Sequence, residues 1–236
     1  MDTQTRHAMK HDALVDHAQN ALGWLEDHKS ESILFAVIVL VVVAIGIGGT
    51  FFYQHREAAA SSEFGAAMDI YSAPVTQPGS PAEPGVRTYP TSTARAEAAN
   101  AEFLKVVKDF GSTDAGKNAL YFSGLTYMEI GKTAEAESTL KKVAKQGNKN
   151  LVSLANLALV SLYRQSNKTQ DAIQLLNQLA AHPTTAVPAG EAKLELASIY
   201  DQTNPEHAKQ IYAQLKDKDS KTTAGQIAAQ KLQQMH

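Results

Sequence analysis

GLTYMEIGKTAEAESTLKKV at 124–143 and VSLYRQSNKTQDAIQLLNQL at 160–179 carry the same residues at the same offsets. Tyr127 and Tyr163 are 36 residues apart; Ala136 and Ala172 follow nine residues after them, and Leu140 and Leu176 four later again. Val143 and Leu179 keep the register three residues further on. A third tyrosine, Tyr200, comes 37 residues after Tyr163. Apolar residues at three- and four-residue steps describe one stripe on a helix. A constant interval of this length describes a supersecondary unit that is stacked on copies of itself.

The pattern extends in both directions. Ala99, Phe103 and Val106 mark an earlier half-unit, and Ala208, Tyr212 and Leu215 a later one, one residue short of register. From Ala94 onward the chain reads as helices separated by short polar turns, ending in a helix over 222–235. Gln226, Gln230, Gln233 and Gln234 give that last helix the polar outer side a terminal cap requires. Upstream, 57–71 reads as a helix with Phe64, Met68 and Tyr71 at helical spacing. Residues 73–93 hold five of the eight prolines, Pro74, Pro78, Pro81, Pro84 and Pro90, with Gly79 and Gly85. Such a stretch cannot keep an internal hydrogen-bonded ladder and reads as an exposed loop. Counting the pair split by this loop, about four helix pairs and a final helix are expected. The expected fold class is all-α, a helical-hairpin solenoid.

Between Ile33 and Tyr53 the chain reads ILFAVIVLVVVAIGIGGTFFY, without a charge. About 20 such residues at 1.5 Å rise span roughly the 30 Å of a bilayer's hydrocarbon. A cleaved signal peptide is the rival, since Ala58, Ala59 and Ala60 resemble a cleavage site. However, 32 residues precede the run, with Asp2, Asp12, Asp16, Glu26, Asp27 and Glu31 among them, whereas a signal n-region is short and basic. The expectation is one retained membrane helix. Arg6, Lys10 and Lys29 precede it against Arg56 just after it, a bias that places the N-terminus in the cytoplasm. Phe51, Phe52 and Tyr53 suit one interface and Trp24 the other. Ala44 with Gly48, and Gly46 with Thr50, make small-residue spacings that permit close approach of a second helix, although glycine is common in membrane helices anyway. Before the span, Leu14, Ala18, Ala21, Leu22 and Leu25 outline a short amphipathic helix over 11–28. The expected domains are therefore a cytoplasmic amphipathic segment, 1–32, a transmembrane helix, 33–53, and a periplasmic repeat domain, 54–236, with its proline-rich loop at 73–93.

Composition removes several functions. With 22 basic and 24 acidic residues and a net charge of −2, no whole-chain field recruits nucleic acid. There is no cysteine, hence no disulfide, thiolate metal site or cysteine nucleophile. His7 and His11 stand four apart but lack an HExxH pattern and a third ligand. Gly131, Lys132 and Thr133 end like a Walker loop, but the glycine that loop needs falls on Thr126. Gly131 reads better as a helix C-cap. No catalytic residue, cofactor, metal or small-molecule substrate is expected, and the chain is read as a binding module and not an enzyme. An alternative, a lid or hydrolase built on the 73–93 loop, would rest on His182 or His207.

The spacings of Gly124, Tyr127, Gly131, Ala136 and Leu140 resemble the tetratricopeptide repeat, with Asn156 and Val160 as departures. Such a solenoid presents a groove lined by the first helix of each pair. The register turns Asn118, Tyr121, Leu125 and Met128, then Leu157, Ser161 and Arg164, then Leu194, Ser198 and Asp201 toward it, with Leu157 and Leu194 better explained by packing. Tyr121, Leu125, Met128, Arg164, Ser198 and Asp201 are the expected partner-binding set; an aromatic, a thioether and a forked cation suit peptide capture.

The order of parts, HDALVDHAQNALGWLEDHKSESILFAVIVLVVVAIGIGG followed by FFYQHREAAASSEFGAAMDIYSA and the repeats, resembles the YfgM-type ancillary subunits of the bacterial SecYEG translocon. The insertion at 73–93 departs from it. The resemblance implies an inner-membrane protein beside the translocon that works with periplasmic chaperones on client chains. It transfers no functional residue. A scaffold of the same shape for envelope biogenesis or cell division is the alternative.

Overall fold

The computed structural model describes residues 29–76 and 85–235, with side chains from 33 onward. The expected helix over 11–28, with Trp24, His7 and His11, lies outside the described residues. The chain divides into two compact units, Met1–His55 and Arg56–His236. Nine helices are described: α1 (Lys29–Tyr71), α2 (Ser92–Phe110), α3 (Asp114–Glu129), α4 (Thr133–Gln146), α5 (Lys149–Gln165), α6 (Thr169–Ala181), α7 (Ala189–Thr203), α8 (Pro205–Lys218) and α9 (Thr223–Gln234). This is the all-α fold class expected from the repeat.

In the first unit the apolar run belongs to α1, and its large side chains are all exposed, from 43% at Tyr53 to 73% at Phe51. The helix is long and apolar enough to cross a membrane. Within the apolar run the Thr50 hydroxyl donates 2.8 Å to the carbonyl of Ile47, one turn back on the same helix. A Cβ added at Gly46, Gly48 or Gly49 would meet nothing.

The helix expected over 57–71 is not separate. It is the continuation of α1, because Gln54 to Ala60 contains no proline or glycine to end the helix. In the second unit, the end of α1 packs on α2 and α3 through Ala67, Ile70, Ala99, Phe103, Val106 and, on α3, Ala119, all buried. Phe64, Tyr71, Phe103 and Phe122 close this cluster with ring centroids 5.5 to 6.1 Å apart, a spacing favourable for offset and edge contacts. Arg56 donates to the carbonyl of Asp109. Glu57 accepts from the backbone N–H groups of Asp114 and Ala115 at 2.8 and 3.0 Å, a carboxylate on the positive end of α3.

The loop after α1 is described at its two ends. Its base is closed by a parallel bridge between Val75 and Tyr89, in which Thr76 N–H donates to Tyr89 (2.9 Å) and Tyr89 N–H to Pro74 (3.1 Å). A pair of residues needs one such bridge only, which the prolines at 74 and 90 flank without occupying a donor position. Helix α2 then starts at Ser92, two residues before the expected Ala94, because Thr91 caps the N–H of Ala94.

The repeat is a ladder of buried side chains. Ala99, Ala136, Ala172 and Ala208 are fully buried, as are Phe103, Leu140, Leu176 and Tyr212; Val106, Val143, Leu179 and Leu215 are exposed by 4% or less. Each set sits on α2, α4, α6 and α8 in turn. At the crossing of α3 with α4, a Cβ added to Gly124 would stand 2.7 Å from Leu140 Cδ2, so only a residue without a side chain fits. At the next crossing Val160, also buried, stands in that register.

The register slip of the last unit comes from its turn. Between α3 and α4 Gly131 takes φ +75°, and between α5 and α6 Asn167 takes φ +56°. In each, the next residue's N–H returns to the helix, Lys132 to Tyr127 (2.9 Å) and Lys168 to Tyr163 (2.8 Å). Between α7 and α8 a single residue, Asn204, serves as C-cap of one helix and side-chain N-cap of the other, with Pro205 following. That shorter turn removes the missing residue. A second recurring device is Thr-x-x-Gly. Thr113 caps Gly116, and Thr222 caps Gly225. A Cβ on either glycine would fall 2.0 or 2.1 Å from the carbonyl oxygen of Phe110 or Asp219.

Candidate functional site

Besides each helix lying on the next, α3 also approaches α5 and α7 approaches α9, whereas α4, α6 and α8 do not approach one another among the described residues. At α3–α5 and α7–α9, though not at α5–α7, the first helices are therefore the more closely spaced side of the repeat array, the side that lines the groove of such a solenoid.

Tyr121, Leu125 and Met128 on α3 are half-buried and pack on the main core, as do Leu157 on α5 and Leu194 on α7. Tyr121 sits against Phe122, ring centroids 5.5 Å apart, and burial, then the neighbouring Tyr71, push its hydroxyl pKa up. Tyr71 is raised by burial, then by Glu129, against the lowering effect of Arg95. Arg95 pairs with Glu129 at 2.9 Å and lies over the Tyr71 ring.

Arg164 on α5 is exposed and donates 2.7 Å to Glu195 on α7. This pair spans the place where α5 and α7 do not approach as closely as α3 and α5 do. The preceding loop is a compact turn, with Thr184 N–H to the Val187 carbonyl at 3.0 Å and Val187 fully buried. Ser198 on α7 is partly buried. Asp201 at the end of α7 accepts from the Tyr212 hydroxyl at 2.8 Å and stands 3.9 Å from Lys231. It thus turns toward α8 and α9, and burial followed by this hydrogen bond holds the Tyr212 hydroxyl well above its ordinary range.

Of the expected set, the structure groups Tyr121, Leu125 and Met128 on one helix, joins Arg164 to α7, and turns Asp201 toward α8 of its own pair and the final helix α9. Sequence reasoning missed Glu195, whose pairing with Arg164 across 31 residues leaves no local signal. It also missed the hollow of about 590 Å³ between α7 and α9, lined by Leu194, Glu195, Asp219, Ala224 and Ile227 among others. Ile227 lies on the helix read as a polar cap. A third missed feature is a node behind the face. Glu137 on α4 accepts from Lys141 at 2.7 Å, from Lys168 at 2.9 Å and from the Tyr163 hydroxyl at 3.2 Å. Both ammonium groups also lie over the Tyr163 ring, 5.9 and 5.3 Å from its centroid. The Lys141 hydrogen bond first, then that of Lys168, lowers the Glu137 carboxyl to about 2, and the same bonds raise both lysines. Among the described residues, no three His, Asp or Glu side chains converge as metal ligands.

Stacked helical hairpins with a continuous ladder and a first-helix face of mixed apolar and charged side chains define a repeat scaffold that binds other proteins. The chain belongs to the tetratricopeptide repeat-like domain family, whose profile matches residues 24–236. Searches of curated proteins and of solved structures gave no match.

Proposed function

We propose that this tetratricopeptide repeat-like scaffold is anchored in the bacterial inner membrane by residues 33–53, with residues 1–32 in the cytoplasm and 54–236 in the periplasm. There it serves as an ancillary subunit of the protein-export translocon and links it to chaperones or client chains. The observation that carries the anchoring is the exposure of every large apolar side chain from Ile33 to Tyr53, 43 to 73% of each, which water penalises by about 25 cal/mol per Å² and lipid does not. The charge bias around the span supports the direction, and the order of parts supports the translocon. The face of α3, α5 and α7 is where partners dock, through Tyr121, Leu125, Met128, Arg164 and Ser198, with Asp201 at its end.

Two measurements test this. Reporter fusions after Arg56 and at His236 read out periplasmic for both. A photo-crosslinker placed at Arg164 in the full-length chain, followed by mild-detergent purification, recovers translocon subunits. Recovery of only cell-wall or division machinery overturns the export role and leaves the scaffold in place.

A further inference from the structure

No acidic residue lies between Glu137 and Asp171, while Lys141, Lys142, Lys145, Lys149, Arg164 and Lys168 all do. Half of these cations are neutralised, Lys141 and Lys168 by Glu137 and Arg164 by Glu195. Lys142, Lys145 and Lys149 are exposed and have no counter-ion within the described residues. They lie along the last turns of α4 and at the first residue of α5, on both sides of the turn at Gly147 and Asn148. The first turn of α5 holds no acid, and a helix N-terminus disfavours a cation such as Lys149. Lys142 and Lys145 suit the negative end of α4, whereas Lys149 has no such compensation at the start of α5.

Next to this corner, two adjoining clefts of about 760 and 790 Å³ share Lys149, Pro183 and Thr184. Their walls combine amides, Asn150, Asn156 and Gln178, with the small apolar surfaces of Val152 and Pro188. Rows of amide and hydroxyl groups satisfy a peptide backbone that lacks its own hydrogen bonds, as an extended segment does and a helix does not. The lysines at the rim ask for carboxylates. No large apolar side chain between residues 141 and 188 is exposed, so the corner offers nothing to insert into a bilayer and no ring on which a base stacks.

The geometry points to the α4–α5 corner, with the clefts behind Lys149, as a second docking surface that takes an extended acidic segment of a partner protein. It shares no residue with the face proposed above, so the two stand or fall separately.

The test uses the full-length chain in nanodiscs of uncharged lipid and the anisotropy of a fluorescein-labelled peptide of alternating glutamate and proline, which is extended in water. The peptide binds, binding weakens with salt, and K142E/K145E/K149E weakens it by roughly tenfold or more. K216E/K218E on α8 leaves it unchanged, and a glutamine-proline peptide does not bind. Circular dichroism melting of each variant confirms an intact fold. The proposal is overturned by equal binding to the triple variant, by equal binding of the glutamine peptide, or by a chain that ignores the peptide but captures phosphatidylglycerol vesicles through these lysines.

Discussion

Leucine, isoleucine, valine and phenylalanine meet opposite surroundings in the two parts of this chain. In residues 33–53 Leu40 is 69% exposed and Phe35 69%; on the ladder Leu140, Leu176 and Phe103 are fully buried. The difference lies in the period, since the ladder repeats its apolar residues on one stripe, and the run from 33 to 53 is apolar all round. A stripe is covered by a neighbouring helix, whereas a helix apolar on every side needs an apolar medium. Charging the first region therefore breaks this contrast most. V41R/I45R carries two arginines into the centre of the proposed span at about 2.5–3.5 kcal/mol each, and membrane flotation is expected to move the chain from the floating fraction to the soluble one. Retention of the double variant with the bilayer would remove the basis of the anchor.

In the second region the sensitive positions are the ladder and the crossings. Leu140→Ala is expected to cost about 2–5 kcal/mol, as a buried leucine leaves a cavity, visible as a lower urea midpoint. Gly124→Leu drives new atoms into the same Leu140 from the other side, an overpacking cost of about 1–3 kcal/mol. The same substitutions in 33–53, Leu40→Ala and Gly46→Leu, leave the urea midpoint of the repeat domain unchanged, because nothing among the described residues packs on them.

Acid sharpens the comparison within the repeat domain. The Glu137 carboxyl lies at about 2 against an ordinary 4.5, so the folded state binds its proton less readily than the unfolded one. Its contribution to stability is complete above pH 4.5 and is lost as pH falls through that range toward about 2. Between these limits the thermal midpoint of the wild type is expected to fall more steeply than that of Glu137→Gln, whose side chain does not titrate. Parallel curves would mean that Lys141 and Lys168 do not hold the carboxylate in solution.

The stripe of Ala136, Leu140 and Val143 was legible because burial on a helix imposes a period that any sequence shows. The long apolar helix was legible from length and lack of charge. What was not legible depends on closure in three dimensions. Lys141 lies four residues from Glu137, on the same helix, whereas Tyr163 and Lys168 reach that carboxylate only after α5 and α6 have stacked. The pairing of Arg164 with Glu195 likewise follows from how hairpins sit on each other, and that of Asp201 with Tyr212 from how one hairpin closes. The bridge of Val75 with Tyr89 requires the ends of α1 and α2 to meet first. Thr113-x-x-Gly116 and Thr222-x-x-Gly225 were present as text, yet only the carbonyls of Phe110 and Asp219 explain why the fourth residue lacks a side chain.

The smallest effects concern the turns, where two units of the repeat share a conformation and a third avoids it. Gly131 and Asn167 both have positive φ, and a Cβ at Gly131 would meet nothing. The cost of Gly131→Ala is then purely one of backbone conformation, about 1 kcal/mol. Asparagine tolerates this region better than most residues but less well than glycine, so Asn167→Gly is expected to be neutral or to gain a few tenths of a kcal/mol, and Asn167→Ala to lose about as much as Gly131→Ala. Asn204 has φ −156° and acts through its side chain, which caps His207. Asn204→Gly therefore loses only a few tenths of a kcal/mol and Asn204→Ala about 1 kcal/mol. Urea midpoints of these variants separate the two mechanisms: at 167 glycine outperforms asparagine, at 204 asparagine outperforms glycine, and a reversal at either site would mean that the one-residue slip has another origin than the turn.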